Sequence, residues 1–291
     1  MRLIGVGDNV VDCYLDEKIY YPGGNAVNVA VQAARNGLDT AYIGVVGNDA
    51  EAEHLLWALD QEGVDHHLCR RIQAISGHPG VYLTPEGDRV FVSGAKGTAQ
   101  HIVRLKITPE DCEYIRQFDI CHTSCYSSIE SDLPKIANCC PISYDFSSET
   151  KDDTNLQQVC PYIRYAFFSG SELTEPQLET LISKVHSYGV EIVGITLGGR
   201  GALFSWSHHG QTERFRQGSK AAKVIDTMGA GDSFIAGFLT SHIKGGSIAE
   251  ALEYAATRAA ATCEEKGGFG YGKPFPETMD LLQWVGKKPT V

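Results

Sequence analysis

The sequence predicts an α/β protein in which a mostly parallel sheet is covered by helices on both faces. Short apolar runs alternate with amphipathic stretches along most of the chain, which is typical of such a sheet. The length of 291 residues suits one large domain. Hydrophobic residues make up 43% of the chain and charged residues 21%, so the chain can form a core and is not disordered. We therefore expect a single domain over residues 1–291.

The first elements follow the order strand, helix, strand, helix. Each strand is a short apolar run, and each helix ends at a glycine, a residue that readily takes the left-handed conformation found after a helix. The predicted elements are the strand Leu3–Gly7, the helix Ala26–Asn36 before Gly37, the strand Ala41–Val46 and the helix Ala50–Glu62 before Gly63.

The same alternation returns in the second half. Thr108 and Pro109 form a helix start, because threonine caps a helix and proline suits its first position. Ser247 and Glu250 form a capping box, which opens a helix that we expect to reach about Lys266. The remaining predictions are the strands Asp119–His122, Ile142–Phe146, Tyr165–Phe168 and Ile192–Leu197, and the helix Pro176–Tyr188.

Two segments interrupt this pattern and predict a small β lid, formed by about residues 11–21 and 75–104. The first segment is strand-like but carries several charged residues. The second contains the apolar run Val81–Thr84, a turn over residues 85–88 and the run Arg89–Val92, which together indicate a hairpin. Strands inserted into a chain of alternating strands and helices usually leave the main sheet.

Charge and cysteine content exclude several classes of protein. The net charge is −11, and no run of Lys and Arg offers the basic face that a nucleic-acid-binding protein needs. No apolar stretch approaches the ~20 residues of a membrane span, and the N-terminus lacks the apolar segment of a signal peptide. The nine cysteines form no C-x-x-C pair, which indicates reduced thiols and a cytoplasmic protein.

The strongest functional signal lies near the C-terminus, where an apolar strand end leads through a glycine turn into an apolar helix. Successive small residues, Gly229, Ala230 and Gly231, let backbone N–H groups point into one concavity, and a helix N-terminus behind them favours a phosphate. Asp232 would repel that phosphate unless it takes a proton from an attacking group. The alternative is that Asp232 only caps the helix. The whole segment, residues 224–234, favours the functional interpretation.

A second motif lies near the N-terminus, where Gly23 and Gly24 precede a helix whose first turn contains Asn25 and Asn28. An asparagine amide both donates and accepts hydrogen bonds, which suits a polyhydroxylated ligand. A turn followed by an ordinary helix start is an equally good interpretation of this motif alone.

The two motifs, in this order and near the two ends, resemble the signatures of the ribokinase-like (PfkB-type) carbohydrate kinases. The resemblance covers nearly the whole chain, including the inserted strands. It implies a three-layer α/β/α fold with a small β-sheet lid, and ATP-dependent phosphorylation of a terminal sugar hydroxyl. Among known motifs for nucleotides, the G-x-x-x-x-G-K-[ST] loop is absent from the sequence, and the start of a G-x-G-x-x-G pattern at Gly5 has Val10 where its last glycine belongs.

The resemblance also implies roles for residues at matching positions. Asp232 would be the catalytic base, and Gly229, Ala230 and Gly231 the anion hole. Mg²⁺ would be held by Glu172 through water. The sugar would be bound by Asp8, Asn9, Asp12, Gly24 and Asn28. The nucleotide would lie against Ser169, Thr196, Gly198 and Gly201, where Ser169 replaces the asparagine usual in the family.

Within this family the chain is more closely similar to the bacterial fructoselysine 6-kinases, through the segments at 7–12, 22–30, 88–91 and 224–239. The expected substrate is fructoselysine or a related fructosamine. The alternatives are fructose, ribose or 2-keto-3-deoxygluconate as the sugar, or a sugar- or nucleotide-binding protein without catalysis. The open edges of the lid strands suggest a homodimer formed through the lid. Asp145 ends a strand near the expected phosphates, and capping of its own loop explains it equally well.

Overall fold

A computed structural model gives the fold and describes residues 1–85, 87–92, 97–150, 152–277 and 279. Residues 86 and 93–96 of the predicted lid, and 280–291 of the predicted domain, lie outside the described residues. The strands are β1 Arg2–Gly7, β2 Val10–Tyr14, β3 Ile19–Gly23, β4 Asp39–Val46, β5 Arg70–Arg71, β6 Gly80–Leu83, β7 Arg89–Val92, β8 Ile120–Ser124, β9 Ile142–Asp145, β10 Tyr165–Ser169, β11 Ile192–Thr196, β12 Ala202–His208, β13 Gln211–Gln217 and β14 Lys273–Pro274.

The α-helices are α1 Asn25–Arg35, α2 Ala50–Gln61, α3 Ala99–Ile102, α4 Pro109–Ile115, α5 Leu133–Ala137, α6 Asp153–Val159, α7 Glu175–Ser187, α8 Ala230–Ile243 and α9 Ile248–Thr262. Single 3₁₀ turns occur at Glu130–Asp132, Cys160–Tyr162 and Gly198–Arg200. Within the described ranges, no helix is long and apolar enough to cross a membrane. All nine cysteines are free thiols.

The main sheet has the strand order β13-β12-β11-β10-β9-β8-β1-β4-β5 within the described part of the chain. All neighbours from β11 to β5 run parallel, as the sequence predicts. The last two strands, β12 and β13, are antiparallel and were not predicted. Most of β13 is exposed and polar, so it lacks the apolar run that identified the buried strands.

Consecutive strand residues point to opposite faces of the sheet, and this alternation builds two cores. Leu3 and Phe167 pack with α1, α8 and α9 on one face. Ile4 and Phe168 pack with α4 to α7 on the other face. The result is the three-layer α/β/α arrangement that the sequence predicts.

The helices begin where their capping residues predict. Thr108 with Asp111 and Ser247 with Glu250 form complete capping boxes, and Asp49 caps α2. The prediction that the last helix reaches Lys266 is wrong, because α9 ends at Thr262. Gly267 has φ 72°, and its N–H donates to Asp226 at 2.8 Å, so the chain leaves the helix to make that contact.

A second sheet has the order β14-β3-β2-β6-β7. Strands β2 and β3 form an antiparallel hairpin, and β6 and β7 form another. The charged residues 16–18 lie in the turn between β2 and β3, where charge is exposed to solvent. The short strand β14 comes from the C-terminal segment, and nothing in the sequence predicted its pairing with β3.

Candidate active site

Polar side chains collect along one edge of the main sheet. Because β1 and β8 to β11 are parallel, their carboxyl ends meet at this edge, where open α/β sheets bind ligands. In the sheet register Ser124 lies beside Asp145, and Ser169 lies beside Thr196. The chain after β1 brings Asp8 to the same edge. The helices α1 and α8 begin there, so both sequence motifs lie at the edge.

Asp8 fixes the start of α1. Its carboxylate accepts the backbone N–H of Asn25 at 2.6 Å and the hydroxyls of Ser124 and Ser127 at 2.9 and 3.0 Å. Gly24 precedes the helix with φ 111°, and a Cβ there would come within 2.6 Å of the Cα of Asn9, so glycine is required. Asp8 therefore organises the motif rather than offering free oxygens to a sugar.

Asn9, also predicted to bind the sugar, turns its amide into the protein. Its Nδ2 donates to the hydroxyl of Tyr42 and to the carbonyl of Val45, both at 2.9 Å. The side chain is buried, and both donors of the amide are used by these contacts. The position of Asn9 next to Asp8 in the sequence did not indicate that its side chain points into the protein.

Asn25 links two carboxylates across the site. Its Nδ2 donates to Asp145 and to Asp232, at 2.8 Å each. Its Oδ1 lies 2.9 Å from Nε2 of His122, whose Nδ1 lies 2.9 Å from the hydroxyl of Ser143. Burial lowers the pKa of His122 to about 3, so the ring is neutral. A neutral ring has one donor and one acceptor nitrogen. Because Oδ1 of Asn25 can only accept, Nε2 of His122 is the donor to it, and Nδ1 accepts the hydroxyl of Ser143. This pairing leaves the Nδ2 donors of Asn25 directed towards the carboxylates.

Asn28, one turn further along α1, holds the other oxygen of Asp232. Its Nδ2 donates to Oδ2 of Asp232 at 2.7 Å. Its Oδ1 is buried and has no hydrogen-bond partner among the described residues. The predicted sugar-binding residue Asn28 and the predicted base Asp232 are thus in direct contact. The Oδ1 acceptor of Asn28 remains available to a ligand.

Asp232 does not cap α8. The N-cap is Gly229, with φ 69°, and a Cβ there would come within 2.7 Å of the Cα of Gly268. Asp232 is the third residue of the helix, and its carboxylate accepts two side-chain amides instead. The interpretation as a simple cap is therefore wrong.

Only some of the N–H groups in the glycine turn before Asp232 are available to bind an anion. The N–H of Ala230 donates to the carbonyl of Thr227 at 3.2 Å, so it is already used. A Cβ on Gly231 would meet nothing within 4 Å, so open space lies in front of it. N–H groups in the first turn of a helix have no acceptor within the helix, and this end of α8 can hold an anion in that space.

Asp226 ties the turn to two other segments. Its carboxylate accepts the Tyr14 hydroxyl at 2.5 Å, the N–H of Met228 at 2.9 Å and the N–H of Gly267 at 2.8 Å. The side chain is completely buried. Through these contacts the position of α8 depends on the small sheet and on the C-terminal glycines.

Three carboxyl groups around the edge are hard to ionise. Burial raises the pKa of Asp232 to about 6, although hydrogen bonds from Asn28 and Asn25 and the charge of Arg89 oppose the shift. Burial and the charge of Asp232 raise the pKa of Asp145 to about 7. Burial raises the pKa of Asp12 to about 7, and Arg89 opposes this.

Asp12 reaches the site from the small sheet. It lies on β2, and its carboxylate is so close to Gly23 that a Cβ there would come within 2.3 Å of it. Its side chain is 3% exposed and has no hydrogen-bond partner in the described part of the chain. A buried carboxylate without donors is costly unless a ligand supplies them.

The predicted nucleotide-binding residues lie on the adjoining part of the edge. Ser169 and Thr196 end neighbouring strands, and the hydroxyl of Thr196 donates to the carbonyl of Phe168 at 3.3 Å. Gly198 begins the single turn that ends before Gly201. The structure brings these four residues together, but no contact joins them to Asp232 among the described residues.

Glu172 lies in the exposed turn after β10. No hydrogen bond or ion pair of its carboxylate occurs among the described residues, so the group is available to solvent or to a hydrated ion. Carboxylate oxygens are ligands that Mg²⁺ accepts, commonly with water between. Glu172 and the partly exposed carboxylate of Asp145 therefore fit the bound Mg²⁺ that the family resemblance implies.

Sequence reasoning missed the contacts of Asn25, His122 and Asp226 with the site. His122 lies between Cys121 and Cys125 in a predicted buried strand, and the sequence motifs gave it no role in the site. The available signal was its position at the end of the predicted strand Asp119–His122; in the structure it is the third residue of β8 and lies beside Gly5 of β1. Asp145 caps its own loop, because it accepts the N–H of Ser147 at 2.8 Å, and it also accepts Nδ2 of Asn25. Its place near the phosphates stays a prediction.

Comparison with solved structures shows the same fold. A ribokinase of Arabidopsis thaliana, solved with ribose and ATP, superposes with a TM-score of 0.76 at 22% identity, covering 91% of this chain and 93% of the other. A putative ribokinase II of E. coli, solved with ATP and Mg²⁺, gives a TM-score of 0.73 at 21% identity, covering 92% and 94%.

Comparison of sequences gives the family. Residues 3–270 match the profile described as pfkB family carbohydrate kinase, and the chain belongs to that family. A fructosamine kinase of Bacillus subtilis, FrlD, is 47% identical over 94% of this chain and 95% of its own length. The fructoselysine 6-kinase of Escherichia coli is 31% identical over 92% of this chain and 99% of its own length.

Ionisation of the buried carboxyls predicts a pH-dependent stability. Asp145 has an ordinary pKa of 3.8 when unfolded and about 7 when folded, so the folded state binds the extra proton between these values. The contribution of the Asp145 carboxyl to the free energy of unfolding of the protein therefore falls as pH rises from about 4 to about 7. In Asp145→Asn the free energy of unfolding, relative to wild type, should rise over the same range.

Chemical denaturation at a series of pH values measures this difference. The control is Asp16→Asn, which removes an exposed carboxylate in the β2–β3 turn and should follow the wild-type curve. Parallel curves for wild type and Asp145→Asn would show that Asp145 ionises as readily in the folded protein as in the unfolded one.

Proposed function

We propose that the protein is an ATP-dependent kinase that phosphorylates the terminal hydroxyl of a fructosamine such as fructoselysine. The observation that carries this is Asp232, a partly exposed carboxylate held by two asparagine amides beside the N-terminus of α8. Such a site places a proton acceptor next to an anion-binding helix end. The identity of 47% with a fructosamine kinase supports the choice of sugar.

In the proposed reaction Asp232 accepts the proton of the sugar hydroxyl as its oxygen attacks the γ-phosphorus of ATP. The amides of Asn25 and Asn28 hold the carboxylate still and leave its remaining lone pairs for that hydroxyl. A base with a pKa of about 6 is mostly ionised at neutral pH, so it can accept the proton. Because this pKa is close to neutral pH, the base can also release the proton again.

Charge that develops on the phosphoryl oxygens is stabilised by the start of α8. The open space before Gly231 gives these oxygens a place beside free N–H groups. The turn formed by Gly229, Ala230 and Gly231 acts here mainly through the conformation of Gly229 and the space at Gly231, since the N–H of Ala230 is engaged. Glu172 would hold Mg²⁺ through water, and the metal would supply positive charge to the phosphates.

The nucleotide would occupy the strand ends at Ser169 and Thr196 and the turn from Gly198 to Gly201. This follows from their common position at the edge next to β11. Two proteins of the same fold were solved with bound ATP.

The sugar would lie between α1 and the small sheet. Asn28 has a buried acceptor without a partner, which a sugar hydroxyl would satisfy. Asp12 has a buried carboxylate without donors, which hydroxyls or the protonated amine of a fructosamine would satisfy. The small sheet, with Asp12 on it, would act as a lid that excludes water while phosphoryl transfer takes place.

ADP release in the presence of different sugars tests this proposal. Because Asp12 supplies a charged hydrogen bond to the amine, kcat/KM should be about 10- to 100-fold higher for fructoselysine than for fructose. Ribose and 2-keto-3-deoxygluconate should be poorer still. A preference for ribose or the sugar acid would overturn the substrate, and no ADP release with any sugar would favour a binding protein.

We also propose a homodimer formed through the lid. In the described part of the small sheet β7 is an edge strand, and Phe91 on it is 52% exposed. An open edge with an exposed aromatic ring favours pairing with a second copy. Sedimentation equilibrium should give a dimer for wild type and a monomer for Phe91→Asp. A wild-type monomer at assay concentrations would contradict the proposal.

A further inference from the structure

The segment at residues 88–91, one of those similar to the fructoselysine 6-kinases, has no assigned role in the candidate active site. It begins at the tip of the β6–β7 hairpin. Arg89 is its only cation and is exposed.

The hairpin tip is attached to Thr227, two residues before the anion-binding turn. The carbonyl of Gly87 accepts the Thr227 N–H at 3.1 Å, and the carboxylate of Asp88 accepts its hydroxyl at 3.2 Å. Nη1 of Arg89 donates to the Thr227 carbonyl at 3.0 Å and lies 3.2 Å from its hydroxyl. The tip therefore holds Arg89 against one residue of the turn.

This contact places the guanidinium beside the start of α8. The Thr227 carbonyl that accepts from Arg89 also accepts the N–H of Ala230, the first residue of the helix. The positive end of the helix and the cation thus converge on one region. Two positive groups brought together repel each other, unless an anion lies between them.

The remaining donors of Arg89 are available. Among the residues the structure describes, its hydrogen bonds involve Nη1, and its carboxylate neighbours form no ion pair with it. Its charge is nevertheless close enough to lower the pKa of both Asp12 and Asp232. The guanidinium is therefore fixed at Thr227, two residues before the helix N-cap Gly229, and its Nε and Nη2 have no partner in the described part of the chain.

We propose that Arg89 is a further catalytic residue, which donates hydrogen bonds to the phosphoryl group during its transfer. The shared chemistry of its ligand is an anionic oxygen group, and the carboxylate of an amino acid joined to the sugar is the other source. The attachment to Thr227 favours the phosphoryl group, because this group must lie between Asp232 and the start of α8.

The reaction balances without any further reactant. The sugar oxygen forms a bond to the γ-phosphorus, and the bond from phosphorus to the oxygen of ADP breaks, with its electron pair going to ADP. The hydroxyl proton goes to Asp232 and then to water. Arg89 exchanges no atom; it stabilises the negative charge on the non-bridging oxygens.

The test compares wild type with Arg89→Gln. Loss of one such group should lower kcat about 10²- to 10³-fold, while KM for the sugar and the affinity for ADP change little. Arg89→Lys should recover part of the rate, because it keeps the charge but not the planar fork of donors. Asp88→Ala, which removes a neighbouring contact to Thr227, should cost no more than about tenfold.

A second measurement does not depend on turnover. Mg²⁺, ADP and aluminium fluoride together form an analogue of the transition state of phosphoryl transfer. Calorimetry measures the affinity of the protein for this analogue in the presence of sugar. Arg89→Gln should weaken this affinity by about the same factor as kcat, and should leave binding of ADP alone unchanged.

Three results would overturn the proposal. An equal loss in Asp88→Ala would mean that Arg89 only attaches the hairpin. A loss confined to KM, and to substrates carrying a carboxylate, would assign Arg89 to the substrate instead. Unchanged binding of aluminium fluoride would remove it from the phosphoryl group.

The inference rests on the proposed kinase reaction but not on the choice of sugar. Kinetics can be measured with whichever sugar wild type phosphorylates. If fructosamines fail and ribose succeeds, the substrate proposal falls, and the test of Arg89 proceeds unchanged with ribose.

Discussion

The arrangement of the site depends on the side chain of Asn25. Without its amide, the carboxylates of Asp145 and Asp232 would face each other with no donor between them, and their repulsion would grow with burial. The neutral ring of His122 fixes the direction of that amide from the core side. A single amide, oriented by a buried histidine, thus lets two acidic groups from distant parts of the chain share one cleft. Asp8 contributes by fixing the helix on which Asn25 stands.

Holding these carboxylates together is unfavourable in free energy, and the ligands of the proposed reaction would offset this. The pKa values of Asp12, Asp145 and Asp232 all lie above the ordinary value, because burial disfavours their ionised forms. Mg²⁺ and a protonated amine each bring positive charge, and sugar hydroxyls bring donors. Functional sites commonly keep such unfavourable groups, because the interactions that would stabilise the free protein are supplied by the substrates.

Much of the fold and half of the site follow from local sequence rules. The apolar runs predicted the parallel strands, and capping residues such as Ser247 predicted the starts of helices. The glycine turn at 229–231 and Asp232 were predicted together, because their roles depend on neighbours in sequence. The directions of the side chains were not predicted. Asn9 and Asp8 point into the protein through contacts with Tyr42 and Ser127, which lie far away in sequence and only the folded chain brings near. The polar strand β13 had no apolar run to reveal it.

The role of Asp232 as the base is tested most directly by the kinetics of Asp232→Asn. The variant keeps the shape of the side chain but cannot take the hydroxyl proton, so kcat should fall by at least about 10²- to 10⁴-fold. Affinity for ATP should stay equal or increase, because one negative charge beside the phosphates is gone. Asp16→Asn, with the same change at an exposed turn, should keep the wild-type rate. A value of kcat for Asp232→Asn within a few-fold of wild type would contradict the mechanism.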